Sequence, residues 1–382
     1  MRILDVRRPL LGLCLVALSI LGATTAQSAS LTVSAESRGG MEFRPVSTAP
    51  TFCARWPGQC SAGPALDLPI RYELQPGSAL SVKAPSRRQV TVVHERSGEA
   101  HTLSFEVLAV GLGLEAQGAS PALEAVQGGC AVAGMQRSGA RLHNLWRVNQ
   151  PAQPVPCVSN VAQTSEAGGV TISEVGLAYR LLTPSPLKMS TGSYHGQLTL
   201  SVGAGADLDL GSDVGGLAAD SLTLRFELRV EHDFRIEFAQ GSDQVVLEPP
   251  GGWEQWSQRL PQRLYRDVAL RIWSSGPFSV HLRCQYPQDG RCGLRNQGNA
   301  HQVPLAVKLT LPSGFLHSGQ SVNRVLLPAD EGEALELEST QPMLNQGGVL
   351  HFEVDKAQVD EMARYPGMEY AGDVTVIFDA GM

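Results

Sequence analysis

Apolar and polar residues alternate along most of the chain. Val90 with Val92, and Val280 with Leu282, each place apolar side chains on one face of an extended segment, as a half-buried strand requires. Clusters of Gly, Pro, Ser or Asn separate such runs at short spacing. The pattern predicts an all-β chain of antiparallel sandwiches. Four further runs share it: Leu68, Ile70 and Tyr72; Leu103, Phe105 and Val107; Leu198, Leu200 and Val202; Leu305, Val307 and Leu309.

One of the longest alternating runs spans residues 222–230, where Leu, Phe and Val alternate with Arg and Glu. Phe234, Ile236 and Phe238 continue the same register after His232 and Asp233 interrupt it. Such a break is typical of a bulge or of the passage from one domain to the next, and we place the boundary near residues 231–235. About 350 mature residues exceed what one core usually supports. The expected domains are therefore residues 30–232 and 233–382.

A short motif occurs twice. Tyr194, Gly196 and the run 198–200 recur as Tyr370, Gly372 and the run 374–376, and a glycine precedes each copy at residues 192 and 367. Glycine permits a bulge or a close approach, and the alternating residues after it predict a strand. We interpret the repeat as the same strand in two domains of one architecture, which we expect to be tandem immunoglobulin-like sandwiches.

The two copies differ in the sequence on their C-terminal side. The long run at 222–230 comes after the first, whereas the given sequence ends four residues after Phe378. The second domain is therefore expected to lack its final strand, which would expose an apolar groove and an unpaired edge. A strand from a partner chain can fill such a groove, an arrangement known as donor-strand complementation. The residues expected to flank this acceptor groove are Tyr370, Gly372, Val374, Val376 and Phe378.

The first residues predict export. Arg2, Arg7 and Arg8 precede an apolar run over residues 10–21 and then a stretch of small residues up to Ala29. This is the pattern of a secretory signal peptide, here residues 1–29. A short anchor helix is the alternative, but the run is shorter than the ~20 residues that a spanning helix needs. We expect a soluble mature chain that passes through the periplasm to the cell surface.

Removal of the signal peptide takes Cys14 with it and leaves six cysteines. An even number in an oxidising compartment favours disulfides. Sequence alone leaves the connectivity open, and we expect nearest-neighbour pairing. Zinc binding is disfavoured, because no C-x-x-C pair and no histidine at ligand spacing occurs. The expected pairs are Cys53 with Cys60, Cys130 with Cys157, and Cys284 with Cys292.

Composition narrows the function classes. Forty glycines and 24 prolines favour short strands and turns over long helices. The net charge is −7, and neither half carries the basic stripe expected of a nucleic-acid binder. We therefore expect no nucleic-acid partner.

No constellation of acid, base and nucleophile stands out, so we expect neither an enzyme nor a cofactor. The segment with Asp207, Asp209 and Asp213 begins like a calcium loop. However, Ser212 and Ala218 stand where that loop needs its turn glycine and its closing glutamate. We interpret the segment as a solvated acidic loop and expect no metal.

Two sets of residues are candidates for receptor binding. Arg55 and Trp56 lie inside the Cys53–Cys60 segment, which would hold a cation and an exposed aromatic platform for a sugar or a carboxylate. The alternative is that Trp56 packs its ring on the end of the sandwich. Arg87 and Arg88, before the Val90 strand, could bind an anionic glycan, with a solvated turn as the alternative.

Two further features are interpreted as structural. Gly111 and Gly113 lack the third glycine of a dinucleotide-binding fingerprint, so we expect a turn there. Trp253, Trp256 and Trp273 are expected to pack the second core and the domain junction, with no ligand.

Four features together carry a family resemblance: the segment 51–53 with Cys60, the pair Cys130 and Cys157, and the segments 194–200 and 370–376. In these residues the chain resembles the two-domain tip adhesins of alternate chaperone–usher pili, of the colonisation-factor and cable-pilus type. The resemblance implies an N-terminal receptor-binding sandwich and a C-terminal pilin sandwich that lacks a strand. It also implies a periplasmic chaperone, an outer-membrane usher, a major pilin that donates the strand, and a place at the tip of a fimbrium.

The chain departs from that family in its basic residues. Members that bind host glycans resemble one another in an arginine shortly before the first cysteine and a basic cluster after the equivalent of the 194–200 strand. Here residues 46–50 contain no arginine, and the stretch after Leu200 leads to Asp207. We therefore expect a host glycan or glycoprotein receptor, but the receptor contacts of those family members cannot be transferred to this chain. A non-adhesive minor pilin that initiates assembly is the main alternative, and a secreted hydrolase is a third hypothesis.

Overall fold

The computed structural model describes residues 28–116, 121–162, 169–256 and 259–380. The predicted signal peptide, apart from residues 28 and 29, lies outside these ranges. Strands dominate, which confirms the predicted all-β class. None of the described helices has the length and apolar character that crossing a bilayer requires. In the described residues the α-helices are α1 (Pro50–Arg55), α2 (Pro57–Ala62) and α3 (Lys356–Met362), with 3₁₀ turns at Pro186–Lys188, Trp253–Trp256 and Glu331–Glu333.

The strands up to residue 231 form one layered unit. In chain order they are β1 (Ser28–Arg38), β2 (Arg44–Pro45), β3 (Ala65–Leu68), β4 (Tyr72–Leu74), β5 (Ala79–Val82), β6 (Arg88–His94), β7 (Ala100–Ala116), β8 (Ala122–Leu123), β9 (Gln127–Gly128), β10 (Cys130–Ser138), β11 (Arg141–Val148), β12 (Cys157–Ala162), β13 (Val170–Leu182), β14 (Gly192–Gly203), β15 (Leu208–Asp209), β16 (Val214–Gly215) and β17 (Ser221–Glu231).

Two sheets of unequal size make this unit. The large one runs β16-β4-β13-β7-β6-β14-β17-β1-β2, with β10 and β11 attached through β7, β3 through β13 and β15 through β14. The small one runs β5-β12-β8, with β9 on β12. One edge of β7 pairs with β13, and its other edge is shared by β6 and β11. The alternating side chains of β17 point into the shared core and are almost inaccessible, as the pattern predicts.

Strand β17 closes the first unit. It pairs in antiparallel fashion with β14 and in parallel fashion with β1, so it lies between the first strand of the unit and the strand of the first motif copy. Both of its edges are therefore hydrogen-bonded.

The strands from residue 234 onward form a second unit. In chain order they are β18 (Phe234–Phe238), β19 (Arg263–Ser274), β20 (Phe278–Cys284), β21 (Pro287–Gln288), β22 (Arg291–Asn296), β23 (Gln302–Thr310), β24 (Phe315–His317), β25 (Gln320–Ser321), β26 (Val325–Leu326), β27 (Leu335–Ser339), β28 (Met343–Asp355), β29 (Tyr370–Ala371) and β30 (Val374–Asp379).

This second unit is also a sandwich. One sheet runs β18-β19-β28-β23-β22-β21, with β26 on β23 and β29 on β22, and the other runs β25-β24-β27-β20-β30. Phe278 and Phe315 lie at the centre of the core between them, with their ring centroids 5.8 Å apart. Within the described ranges no strand of one unit pairs with a strand of the other.

Only His232 and Asp233 separate β17 from β18. His232 donates from Nε2 to the carbonyl of Met189 in the first unit at 2.8 Å. Asp233 and Ser275 exchange two hydrogen bonds, from Asp233 N to Ser275 Oγ at 2.8 Å and from Ser275 N to Asp233 O at 3.0 Å. The break in the alternating pattern is therefore a two-residue junction that is hydrogen-bonded to both units.

The repeated motif is only partly continuous. Its first copy lies in one strand, β14, whereas Tyr370 and Ala371 pair with β22 of one sheet and Val374–Asp379 pair with β20 of the other. The expectation of one unbroken terminal strand is therefore wrong. The glycines nevertheless behave alike, because a Cβ on Gly196 would lie 2.5 Å from the Thr91 carbonyl oxygen, and one on Gly372 would lie 2.7 Å from that of Gly293.

Two structural expectations need correction. Gly111 and Gly113 lie inside β7 rather than in a turn. Trp253 is 56% exposed, and Trp256 and Trp273 are half-buried and outside the second core. These two rings stack with Arg259 and Arg235 respectively. Each of these two indole rings therefore packs against an arginine side chain and not against the second core.

Candidate functional site

Helices α1 and α2 lie on the outer face of the large sheet. A disulfide joins Cys53 of α1 to Cys60 of α2, and isolated helices of six residues would not be stable without such support. Phe52 fits against the sheet because Gly111 and Gly176 have no side chain: a Cβ would lie 2.9 Å and 2.6 Å from its ring. Alanines complete this small-residue surface at positions 65, 109 and 178.

Trp56 is buried, with 8% of its surface exposed. Its ring lies under Gly134 of β10, where a Cβ would come within 2.6 Å of the indole. The expectation of an exposed aromatic platform is therefore wrong, and the packing alternative holds. The physical reason is the tertiary contact with β10, since the sequence of the Cys53–Cys60 segment alone does not show what covers it.

The remaining disulfides stabilise other parts of the fold. Cys130 at the start of β10 pairs with Cys157 at the start of β12, and Cys284 at the end of β20 pairs with Cys292 in β22. All three pairs are those expected from nearest-neighbour pairing.

A cavity of about 150 Å³ opens between α1 and the outer face of the sheet. It forms because His143 of β11, Gly113 of β7 and Glu174 of β13 are paired in one row. The missing side chain of Gly113 leaves space between the other two. Arg55 of α1 and Asp67 of β3 add further charged groups to the lining, which also includes Thr51 and Ser173.

The charges in this cavity are loosely paired. Glu174 lies 3.3 Å from Nδ1 of His143, 3.8 Å from the guanidinium of Arg55 and 4.0 Å from that of Arg141. All three separations exceed the ~2.7–2.9 Å of a charge-assisted hydrogen bond. Nε of Arg55 is buried and has no hydrogen-bond partner among the described residues.

The surroundings of His143 lower the pKa of its imidazole. Burial lowers the pKa of its imidazole, the positive charge of Arg55 lowers it further, and the carboxylate of Glu174 opposes both effects. Only 2% of the side chain is exposed. Its neighbour Glu174 is the group that it can orient.

The carboxylate of Asp67 is hydrogen-bonded to the first turn of α1. Its two carboxylate oxygens accept the backbone N–H groups of Thr51 and Phe52, each at 2.8 Å. These are unsatisfied donors of the first helical turn, so Asp67 acts as a capping group.

Arg87 and Arg88 are both engaged in ion pairs. Arg87 binds Glu106, whose side chain is fully buried and also receives hydrogen bonds from Arg180. Burial alone would raise the pKa of Glu106, but the hydrogen bonds from Arg180 and Arg87 lower it. Arg88 pairs with Asp207. The two predicted binding arginines thus face different carboxylates and do not converge on one surface point.

The acidic loop is internally hydrogen-bonded. Asp207 accepts from the backbone and hydroxyl of Ser201, and Asp209 accepts from the backbone N–H groups of Gly205 and Gly211 at 2.9 Å. In the described parts of the chain no group of three or more His, Cys, Asp and Glu side chains is placed to hold a metal ion.

Strand β30 lies at an edge of the second sandwich. Within the described residues, Val374 to Phe378 pair with β20 alone. Val374, Val376 and Phe378 pack on the core but remain partly exposed. Strand β18 lies at the edge of the facing sheet, and its Phe234 and Ile236 are likewise incompletely buried.

Sequence reasoning found only part of these sites. The sequence identified Arg55 and the strand of Val374, Val376 and Phe378. It missed His143, Glu174 and Asp67, which belong to three strands that the sheet register brings together. The pair Gly111 and Gly113 was the available signal, because glycines within a strand mark close approach.

No protein-family model and no curated protein matches the chain. Among solved structures it is similar to a chain in the crystal structure of a chaperone–tip adhesion subunit pre-assembly complex from archaic chaperone–usher Csu pili of Acinetobacter baumannii. The match covers 93% of this chain and 99% of that chain, at 13% identity and a TM-score of 0.22. That score is too low to establish a shared fold.

Proposed function

We propose that this protein is an exported subunit of a surface pilus, located at the tip, whose second sandwich accepts a strand from a neighbouring pilin. One observation carries the proposal: the edge of β30. In the first unit, β14 is paired with β17, whereas within the described residues Val374 to Phe378 of β30 pair only with β20.

The first unit indicates what the accepted strand is like. Strand β17 buries five alternating apolar residues and lies between β1 and β14. A donated strand would by analogy run antiparallel to β30 and parallel to β18, with apolar side chains at every second position. It would cover the exposed parts of Val374, Val376 and Phe378 and of Phe234 and Ile236.

The assembly partners follow from the family resemblance: a periplasmic chaperone before assembly, an outer-membrane usher for export, and a major pilin as the final strand donor. The exposed edge supports this proposal, because an open apolar edge is an aggregation hazard until another strand fills it. Residues 233–382 would form the pilin domain. Residues 30–232 would form the adhesin domain, which has a complete sandwich and needs no donor.

The test adds a strand with alternating apolar residues after residue 382 of the full chain, through a short flexible linker. Burial of four large apolar side chains at ~1.5–3 kcal/mol each is comparable with the folding free energy of a domain. We expect the unfolding midpoint of the second unit to rise by more than about 10 °C. A matched strand with serine at the four apolar positions should give no rise. Equal midpoints for the two fusions would contradict strand acceptance.

We further propose that the first unit binds a receptor. The predicted residues are Arg55, Trp56, Arg87 and Arg88. Arg55 is the candidate we favour, because it lines the cavity beside α1 and is partly exposed, whereas Trp56 is buried and Arg87 and Arg88 are held in ion pairs. Alanine replacement of each, with glycan-array and cell-binding measurements, tests them. Unchanged binding in all four variants would remove them from the adhesin proposal.

A non-adhesive minor pilin that initiates assembly is the second candidate. It is favoured by the engagement of Arg87 and Arg88 in internal ion pairs and by the burial of Trp56. Deletion of the gene separates the two proposals: an initiator is required for pilus formation, and its first unit binds neither cells nor glycans. Retained cell or glycan binding by the first unit favours the adhesin.

A further inference from the structure

The cavity beside α1 presents two opposite charges that lack short hydrogen bonds. Arg55 and Glu174 lie 3.8 Å apart, and their side chains are 29% and 27% exposed. Each is therefore reachable from solvent and held by only long contacts. Such a pair can rearrange around a ligand without breaking a strong bond.

The neighbouring charges exclude ligands that carry only positive or only negative charge. An anion bound to Arg55 alone would lie beside the carboxylate of Glu174, and a cation bound to Glu174 alone would lie between the guanidinium groups of Arg55 and Arg141. Like charges at such distances repel. The ligand must offer a positive and a negative group together, or be neutral.

The apolar walls argue against a sugar ring. Phe52 and Trp56 are 4% and 8% exposed, and Gly134 covers a face of the indole. A flat ring therefore finds no exposed aromatic face on which to stack. The volume of about 150 Å³ is also well below the roughly 300–1,000 Å³ of sites for drug-sized ligands, so the ligand is compact.

We propose that this cavity binds a free α-amino acid with a small side chain. Its carboxylate accepts hydrogen bonds from the guanidinium of Arg55, and its ammonium group donates to the carboxylate of Glu174. Two short charge-assisted bonds then replace one long internal ion pair. Nδ1 of His143 lies 3.3 Å from the same Glu174 carboxylate. The proposal is independent of strand acceptance, which concerns the second unit.

Calorimetric titration of the full chain with glycine, L-alanine and L-serine tests the proposal. Ligands of so few atoms bind weakly, so the titration extends to about 20 mM. We expect L-alanine to bind and its two derivatives, N-acetyl-L-alanine and L-alaninamide, to bind at least about tenfold more weakly, since each lacks one charge. Binding of glucose or galactose but no amino acid would overturn the proposal, as would the absence of binding by all three amino acids.

Two variants localise the site. Glu174→Gln and Arg55→Gln each remove one charge and should weaken L-alanine binding between about tenfold and a hundredfold. Glu227→Gln, on the exposed face of β17, is the matched control and should bind as the parent does. Thermal unfolding of each variant checks its fold, and the derivative ligands test the same contacts in the unmodified chain. Unchanged affinity in both folded variants would place the amino acid elsewhere and overturn the assignment.

Discussion

Glu106 is a carboxylate with a fully buried side chain in the first unit. Arg87 and Arg180 compensate its charge from the surface, and both are about half exposed. We expect the double variant Arg87→Ala, Arg180→Ala to lose about 3–5 kcal/mol of unfolding free energy, because it leaves a buried charge without a partner.

Adding Glu106→Gln to that double variant should restore part of the loss, since the uncompensated charge is then gone. Urea unfolding of the double and triple variants measures both changes. A triple variant no more stable than the double variant would contradict this account of Glu106.

Glu99 makes the first unit sensitive to acid. Burial raises the pKa of its carboxyl, but hydrogen bonds from Ser190, His101 and Tyr194 outweigh burial and lower the pKa to about 2 from the usual 4.5. The stability that ionised Glu99 contributes is therefore fully present above about pH 4.5 and is lost as the pH falls toward 2.

Unfolding measured across this pH range should show a smaller acid-induced loss in Glu99→Gln than in the parent. Tyr194→Phe, which removes one hydrogen bond of 2.9 Å to the carboxylate, should lie between them. A Glu99→Gln profile that parallels the parent would show that other groups determine the acid sensitivity.

At the scale of elements, the packing of α1 depends on glycines in the sheet below it. A Cβ at residue 176 would lie 2.6 Å from the ring of Phe52. We expect Gly176→Ala to cost about 1–3 kcal/mol and to displace α1 from the cavity, because overpacking forces neighbours out of place.

Chemical unfolding and the L-alanine titration together measure that effect. The matched control is Gly58→Ala in α2, where a Cβ meets no atom within 4 Å, so stability should stay equal or rise slightly. Equal stability of Gly176→Ala and Gly58→Ala would mean that α1 adjusts without cost.

The elements also show what a sequence can predict. Long alternating runs such as 222–230 became strands, because period two reports burial on one face directly. Helices α1 and α2 were not predicted, since six residues are too few for helical periodicity. The row of His143, Gly113 and Glu174 depends on the register between three strands, and no local pattern encodes that register.

At the scale of the whole molecule, the two units are joined by a tight junction. A Cβ at residue 276 would lie 2.3 Å from the ring of His232, so no larger residue fits there without movement. We expect Gly276→Val to loosen the arrangement of the two units while both cores stay folded.

Small-angle scattering should then show a larger radius of gyration, and limited proteolysis should cut near residues 232–233. The matched control is Gly347→Ala, which should leave both readouts unchanged because a Cβ there meets no atom within 4 Å. Gly290→Ala is unsuitable as a control, because Gly290 has a positive φ. Parent-like scattering and proteolysis of Gly276→Val would show that the junction tolerates the added bulk.

The parallel pairing of β1 with β17 has a consequence for the order of synthesis. Ser28 is paired with Ser221 and Arg38 with Glu231, so β1 pairs with residues about two hundred positions later in the chain. Pairing between such distant segments slows folding. While the chain emerges, the edge of β1 that pairs with β17 stays unpaired until residues 221–231, about three fifths of the given 382 residues, have appeared. Any factor that shields nascent chains is therefore needed longest at this edge of the first strand.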